Sequence, residues 1–300
     1  MKVYLTGGYG FLGSYVFSAL VLGGHRVFRD QSDTVDLTNE RDCWDVINAE
    51  GVDAVIHCAG IVGGMLDNAK RQSGYLVGNV QMGLNVLQAC VDAKVKKVVV
   101  AGSSCMYPDP CWGPYGTDEV WRGAPYGGNL GYGIAKRVVA EACGLYRGQY
   151  GLDAVCAVLP NLYGPGADGT ERGHFVANVV RKIKKAKEDF EYPVKMMGDG
   201  KARRELIYVE DAAKALVFAL ENDLGKPLMN FGVNKEYTVA EVVEMVKILV
   251  GYEGGIEWGD AKDNGQERKI MESSEAHLLG WKPQTSLISG IRKTIEAPGG

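Results

Sequence analysis

Apolar positions along the chain come in two rhythms. Short, nearly unbroken runs have the length and β-branched content of strands buried on both faces: KVYLT (2–6), HRVF (25–28), DAVIHCAG (53–60), KVKKVVVA (94–101) and DAVCAVLP (153–160). Between them lie longer segments with apolar residues three and four apart. FLGSYVFSALVLGG (11–24) and residues 39–50, 75–93 and 132–150 therefore predict helices. Strands alternating with helices argue for a parallel, doubly wound sheet with helices on both faces.

The rhythm changes after Pro160. NLYGPGADGTERG (161–173) predicts a long loop, and HFVANVVRKIKKAKEDF (174–190) a helix with a basic end. PVKMMGDGKARREL (193–206) predicts an irregular stretch or a pair of short strands. VEDAAKALVFALEND (209–223) predicts a helix whose first acids suit its N-terminus. The expected fold is α/β, a doubly wound parallel sheet with a smaller C-terminal α/β lobe. The simplest division gives residues 1–160 to the sheet domain and 161–300 mainly to the lobe, with some later segments returning to the first domain.

Composition narrows the function classes. A net charge of −4 over 300 residues provides no basic field for nucleic acid or a membrane surface. No apolar run reaches the roughly 18–20 residues of a membrane-spanning helix. MKVYLTGG reads as a strand and turn rather than a signal peptide, so a cytoplasmic protein is expected. The seven cysteines are odd in number and form no CxxC or Cys/His cluster, which suits free thiols and argues against a metal site.

TGGYGFLG (6–13) sets Gly7, Gly10 and Gly13 directly after the first strand and at the opening of a helix. Such a turn brings backbone N–H groups and a helix N-terminus to a pyrophosphate, so the sheet is expected to be of Rossmann type and to bind a dinucleotide. Two residues after the second strand point to different cofactors. Asp30 suits the ribose hydroxyls of NAD, and Arg29 suits the 2′-phosphate of NADP, although a solvated strand end accounts for Arg29 nearly as well. Asp36 and Leu37, in VDLT, are expected beside the adenine.

GYGIAKR (131–137) carries Tyr132 and Lys136 four residues apart, on one helix face. A nearby ammonium is expected to depress the phenol's pKa. A tyrosine so placed exchanges a proton with a carbonyl or alcohol oxygen while a nicotinamide exchanges hydride. Ser103, at the end of a strand, has the position to hydrogen-bond the same oxygen. Two residues further on, in GSSCMYP (102–108), stands Cys105, which a bare sequence allows to be a packed thiol or a working acid/base.

With these motifs the chain resembles the extended short-chain dehydrogenases/reductases, most of which act on nucleotide-linked sugars. The resemblance is carried by TGGYGFLG, HCAG (57–60), GSSCMYP, YGIAK, LPNLYGPG (159–166) and YVEDAAKAL (208–216). Three further features resemble the GDP-fucose synthase family: VGG (62–64), a cysteine two residues after the serine, and His174 in RGHFVANVVRK (172–182). That resemblance implies Ser103, Tyr132 and Lys136 as a reductive triad. It implies Cys105 as base and His174 as acid for epimerisation at C3 and C5 of a GDP-4-keto-6-deoxy sugar. Reduction at C4 then uses NADP(H), ahead of NAD(H).

The implied cofactor contacts are Gly7, Gly10, Phe11, Leu12, Gly13, Arg29, Asp30, Asp36, Leu37 and Ala59, together with Tyr132 and Lys136. Arg204 is implied on the substrate's diphosphate, with Asn161, Lys182 and Lys269 in support. The implied partners are a nucleotide-diphosphate sugar and a second copy of the chain, through residues 75–93 and 132–150. LPN in place of the usual PTN, GADG after it, and Met197 where a tryptophan is usual depart from the family pattern around the substrate. They leave the sugar and the base open. A nucleotide-sugar epimerase that regenerates its cofactor and a non-catalytic dinucleotide sensor remain as alternatives.

Overall fold

The computed structural model describes residues 1–49, 51–167, 173–190 and 192–297. The chain runs β1 (Lys2–Thr6), α1 (Phe11–Leu22), β2 (Arg26–Phe28), α2 (Glu40–Ala49), β3 (Ala54–His57), α3 (Met65–Lys70), α4 (Gln72–Asp92), β4 (Lys97–Ser103), α5 (Leu130–Tyr150), β5 (Asp153–Leu159) and β6 (Asn161–Tyr163). It continues through α6 (Phe175–Glu188), β7 (Val194–Met196), β8 (Arg203–Tyr208), α7 (Val209–Glu221), β9 (Leu228–Asn230), β10 (Glu236–Thr238), α8 (Val239–Val250), β11 (Ile256–Trp258), β12 (Arg268–Lys269), α9 (Ser274–Leu278) and α10 (Leu287–Glu296).

Six strands pair in the order β2-β1-β3-β4-β5-β9, every pair parallel. The unbroken apolar runs follow from burial on both faces. Val98 and Val100 join one core with Val86 and Leu87 of α4 and Cys143 of α5. Their neighbours Val99 and Ala101 join the other, with Val16 and Leu20 of α1 and Leu216 of α7. The chain leaves β1 for β2 on one side and returns to β3 on the other, so a crevice opens beyond the C-terminal ends of β1 and β3. The sixth strand, β9, comes from far beyond residue 160.

PVKMMGDGKARREL yields two strands in separate sheets: β7 pairs with β11, while β8 is flanked by β10, β12 and β6. A third core, with Val179 and Ile183 of α6, Leu206 of β8, Val243 of α8 and Ile291 of α10, holds this part of the chain together. Among the described residues, no helix is long and apolar enough to cross a membrane.

One buried carboxylate ties β8 to two other segments. Glu205 is 1% exposed and accepts backbone N–H groups from Val233 (2.6 Å), Asn234 (2.9 Å) and Met271 (2.9 Å). Burial pushes its carboxyl up to about 7 against those three amides. Glu205→Gln turns one acceptor into an NH2 group facing a backbone N–H, and should lower unfolding stability by about 1–3 kcal/mol. Chemical denaturation monitored by circular dichroism checks this, and an unchanged midpoint would show that the amides find other partners.

Candidate active site

The glycine loop stands at the crevice, and its glycines are there because side chains do not fit. Gly7 has φ +66°, and a Cβ on it would lie 2.6 Å from the Ala59 nitrogen at the end of β3. On Gly13 a Cβ would lie 2.0 Å from the Gly7 carbonyl oxygen. Gly10 caps α1, whose first turn carries no acidic side chain. Phe11 and Leu12 begin the helix. A close-packed glycine turn opening a helix N-terminus free of negative charge has the form that a dinucleotide pyrophosphate requires.

At the end of β2, the Arg29 guanidinium lies 4.0 Å from the Tyr9 ring centroid and 3.6 Å from that of Phe17. It donates to the Gly8 carbonyl at 2.7 Å. Asp30 accepts from the Tyr4 hydroxyl at 3.1 Å. A cavity of about 510 Å³ opens here, lined in part by Tyr9, Phe28, Arg29 and Asp30. The Asp36 carboxylate turns onto the backbone and hydroxyl of Thr38 (2.9 and 2.7 Å). Leu37 is buried in the core, and its carbonyl accepts from Asn85 at 3.1 Å.

The second cluster forms where β4 ends against α5. Ser103 caps a single 3-10 turn at Ser104–Met106, its Oγ accepting from the Cys105 N–H at 3.2 Å. Gly133 lets α5 touch that turn, since a Cβ there would lie 2.6 Å from the Cys105 carbonyl oxygen. Tyr132 and Lys136 are thereby brought to Ser103 and Cys105.

The structure corrects one expectation at this point. The Tyr132 phenol is not depressed: burial, then the charge of Cys105, holds it well above the usual phenol value, with a hydrogen bond to Ser103 opposing them. The Lys136 ammonium donates to the Ala101 carbonyl at 2.9 Å and lies 5.7 Å from the Tyr132 ring centroid. A phenol of this kind stays protonated near neutral pH and has a proton to donate.

Cys105 is shifted the other way. Burial raises its pKa, but the Lys269 ammonium 3.0 Å from Sγ, then Ser103 and Arg204, outweigh it, and the thiol lies below its ordinary value. All seven thiols are free, and burial raises each of the other six. Lys269, expected on the substrate's diphosphate, thus stands against the sulfur. Arg204, its register partner on β8, is half-buried, with Nη1 and Nη2 donating to the carbonyls of Arg203 (2.8 Å) and Asn264 (3.1 Å).

His174 is placed against the glycine loop. It is the residue before α6, and its ring lies 4.9 Å, centroid to centroid, from Phe11. Asn161 opens β6, opposite Leu206, and Lys182 lies on α6 beside buried Ile183; both are half-buried.

Three residues with evident supporting roles escape a reading of motifs alone. Asn79, 4% exposed on α4, exchanges hydrogen bonds with Ile61 in both directions (3.0 and 3.0 Å) and so fixes the loop after HCAG. Thr6 bridges the ends of β1 and β3 through His57 Nδ1 (2.7 Å) and the Ala59 N–H (3.2 Å). Burial, with Lys136 nearby, holds the His57 pKa down to about 3, so this ring is neutral. Arg137, 3% exposed, donates to the Met106 carbonyl and anchors the turn that carries Cys105. A polar residue at an apolar helical position was the available signal for Asn79 and Arg137.

Comparisons with known proteins agree with this geometry. The model of the NAD dependent epimerase/dehydratase family matches residues 3–232. A probable GDP-L-fucose synthase 1 from Oryza sativa subsp. japonica is 33% identical over 298 residues, which cover 98% of this chain and 91% of that protein. A GDP-L-colitose synthase from Yersinia pseudotuberculosis is 31% identical, with 99% of this chain and 97% of that protein covered. Among solved structures, a GDP-mannoheptose C4 reductase from Campylobacter jejuni with NADP bound superposes with a TM-score of 0.90 at 27% identity, covering 98% of this chain and 97% of that one.

Proposed function

The chain belongs to the NAD dependent epimerase/dehydratase family, and within it we propose an NADP(H)-dependent enzyme that epimerises a GDP-4-keto-6-deoxy sugar at C3 and C5 and reduces it at C4, giving GDP-L-fucose or a close relative. The observation that carries this reading is Cys105: a thiol with a depressed pKa, two residues from Ser103 and beside Tyr132. A simple 4-epimerase, which moves hydride at C4 alone, has no use for a second acid/base group there. The relatives named for GDP-sugar synthesis support the substrate class.

A 4-keto group acidifies the hydrogens on C3 and C5, because the electron pair released at either carbon is delocalised onto the C4 oxygen. Inversion needs a base on one face and an acid on the other. Cys105 takes the proton and His174 returns one from the opposite side. Tyr132, held protonated by its surroundings, gives its proton to the C4 oxygen, with Ser103 hydrogen-bonding the same atom.

The backbone of Gly7, Gly10 and Gly13 and the N-terminus of α1 would hold the cofactor's pyrophosphate, and Arg29 a 2′-phosphate. When bound, the cofactor supplies hydride to C4. Arg204 is the cation for the sugar diphosphate, with Lys182 and Asn161 beside it. Exposed Val77 on α4 and Leu145 and Tyr150 on α5 support association with a second copy through these helices.

The test offers GDP-, UDP- and dTDP-linked 4-keto sugars with NADPH or NADH, following absorbance and product stereochemistry. Stoichiometric oxidation of NADPH with GDP-4-keto-6-deoxymannose, and a product inverted at C3 and C5, is expected. Reduction without inversion would favour a C4 reductase, the activity named for the Campylobacter relative. Epimerised product with no net cofactor loss would point instead to an epimerase that regenerates its cofactor.

A further inference from the structure

Cys105 has a partner for which the roles above have no use. Lys269 is only 8% exposed, and its Nζ stands 3.0 Å from Cys105 Sγ. Strand pairing fixes this aim. β12 runs parallel to β8, with Lys269 beside Arg204 and Arg268 beside Arg203. Successive side chains point to opposite faces, so Arg268 turns away to Glu236 at 2.9 Å while Lys269 turns in to the sulfur. Two residues on, the Met271 N–H is held by Glu205, which fastens the strand.

The groups facing Cys105 are Lys269 from β12, Arg204 from β8, Tyr132 and Lys136 from α5, and the Ser103 hydroxyl from β4. Asp109 and Tyr126 face Arg204. Lys269 alone among the cations is in hydrogen-bond contact with Sγ among the described residues.

We propose that Lys269 is a catalytic partner of Cys105 rather than a ligand of the substrate's diphosphate: its ammonium stabilises the thiolate form of the sulfur and stays with it, leaving the diphosphate to Arg204. This rests on reading Cys105 as the epimerisation base. An ordinary thiol, with a pKa of about 8.5, is only about 3% ionised at neutral pH. A thiolate already formed accepts the substrate proton directly. The C–H bond breaks, an S–H bond forms, and the electron pair moves onto the 4-keto oxygen, while Lys269 keeps its proton. Removing the lysine to a phosphate would leave a half-buried thiolate without its counter-charge, which is why the pair stays together.

Peptide-resolved alkylation of the full chain by iodoacetamide across a pH series, without sugar, tests the pair. The Cys105 midpoint in the wild type should lie below the ordinary value of about 8.5. In Lys269→Met it should rise to that value or above, with at least about a tenfold slower reaction at neutral pH, because each pKa unit is tenfold in thiolate fraction. Lys269→Arg should restore the lowered midpoint. A wild-type midpoint at or above about 8.5 overturns the proposal even if Lys269→Met does not fold. So does an unchanged midpoint in a Lys269→Met protein that still binds NADPH. The readout needs no turnover: a lowered, Lys269-dependent midpoint in a chain that converts no GDP-4-keto sugar would remove the functional reading and leave the pair standing.

Discussion

Tyr132→Phe is expected to reduce NADPH oxidation by about 100- to 10,000-fold, the range spanned by loss of a positioned general acid. The substitution removes only the hydroxyl. The ring keeps its edge contact with Tyr75, 6.2 Å between centroids, and Gly133 keeps α5 against the Cys105 turn. Lys136 stays on the Ala101 carbonyl, so NADPH affinity should change little. On the proposed mechanism the proton lost from C3 or C5 goes to Cys105, so solvent deuterium should still enter those carbons. Stopped-flow absorbance and NMR of the recovered sugar read the two steps separately. Reduction at the wild-type rate would remove Tyr132 from the chemistry, and loss of both steps with NADPH binding intact would mean that the phenol serves the epimerisation as well.

Cys105→Ser should have the complementary effect. A serine hydroxyl is nearly isosteric but stays protonated near neutral pH, and an ammonium at 3.0 Å cannot bring it into range as it does a thiol. Deuterium entry at C3 and C5 should fall by about 100-fold or more, the lower end of the contribution of a general base. NADPH binding should persist, because the glycine loop lies at the ends of β1 and β3 and owes nothing to Sγ. Exchange at the wild-type rate would end the assignment of Cys105 as base. The two variants together separate the proton steps from the hydride step at one strand end.

Much of this protein is written locally. The strand runs, the helical spacings and the glycine turn each occupy a few consecutive residues, and each forms close to where the pattern places it: β1, α1, β3 and β5 fall within the expected segments, while α4 (Gln72–Asp92) and α5 (Leu130–Tyr150) begin before theirs and β4 (Lys97–Ser103) ends after its own. The doubly wound parallel sheet follows, because apolar runs buried on both faces and joined by helices have few other arrangements. Tyr132 and Lys136 are likewise set on one face by helical geometry, and Ser103 and Cys105 by a single turn.

Tertiary structure decided the electrostatics. Lys269 lies 164 residues from Cys105, and only the pairing of β12 with β8 aims it at the sulfur. The sign of the Tyr132 shift was set by burial and by the charge of Cys105, neither of which spacing within a helix can reveal. Return of β9 to the main sheet is also long-range, since three residues carry no periodicity. Periodicity is a property of neighbours in sequence, whereas a pKa depends on which charges meet and how much water is excluded, and those exist only once the chain has folded.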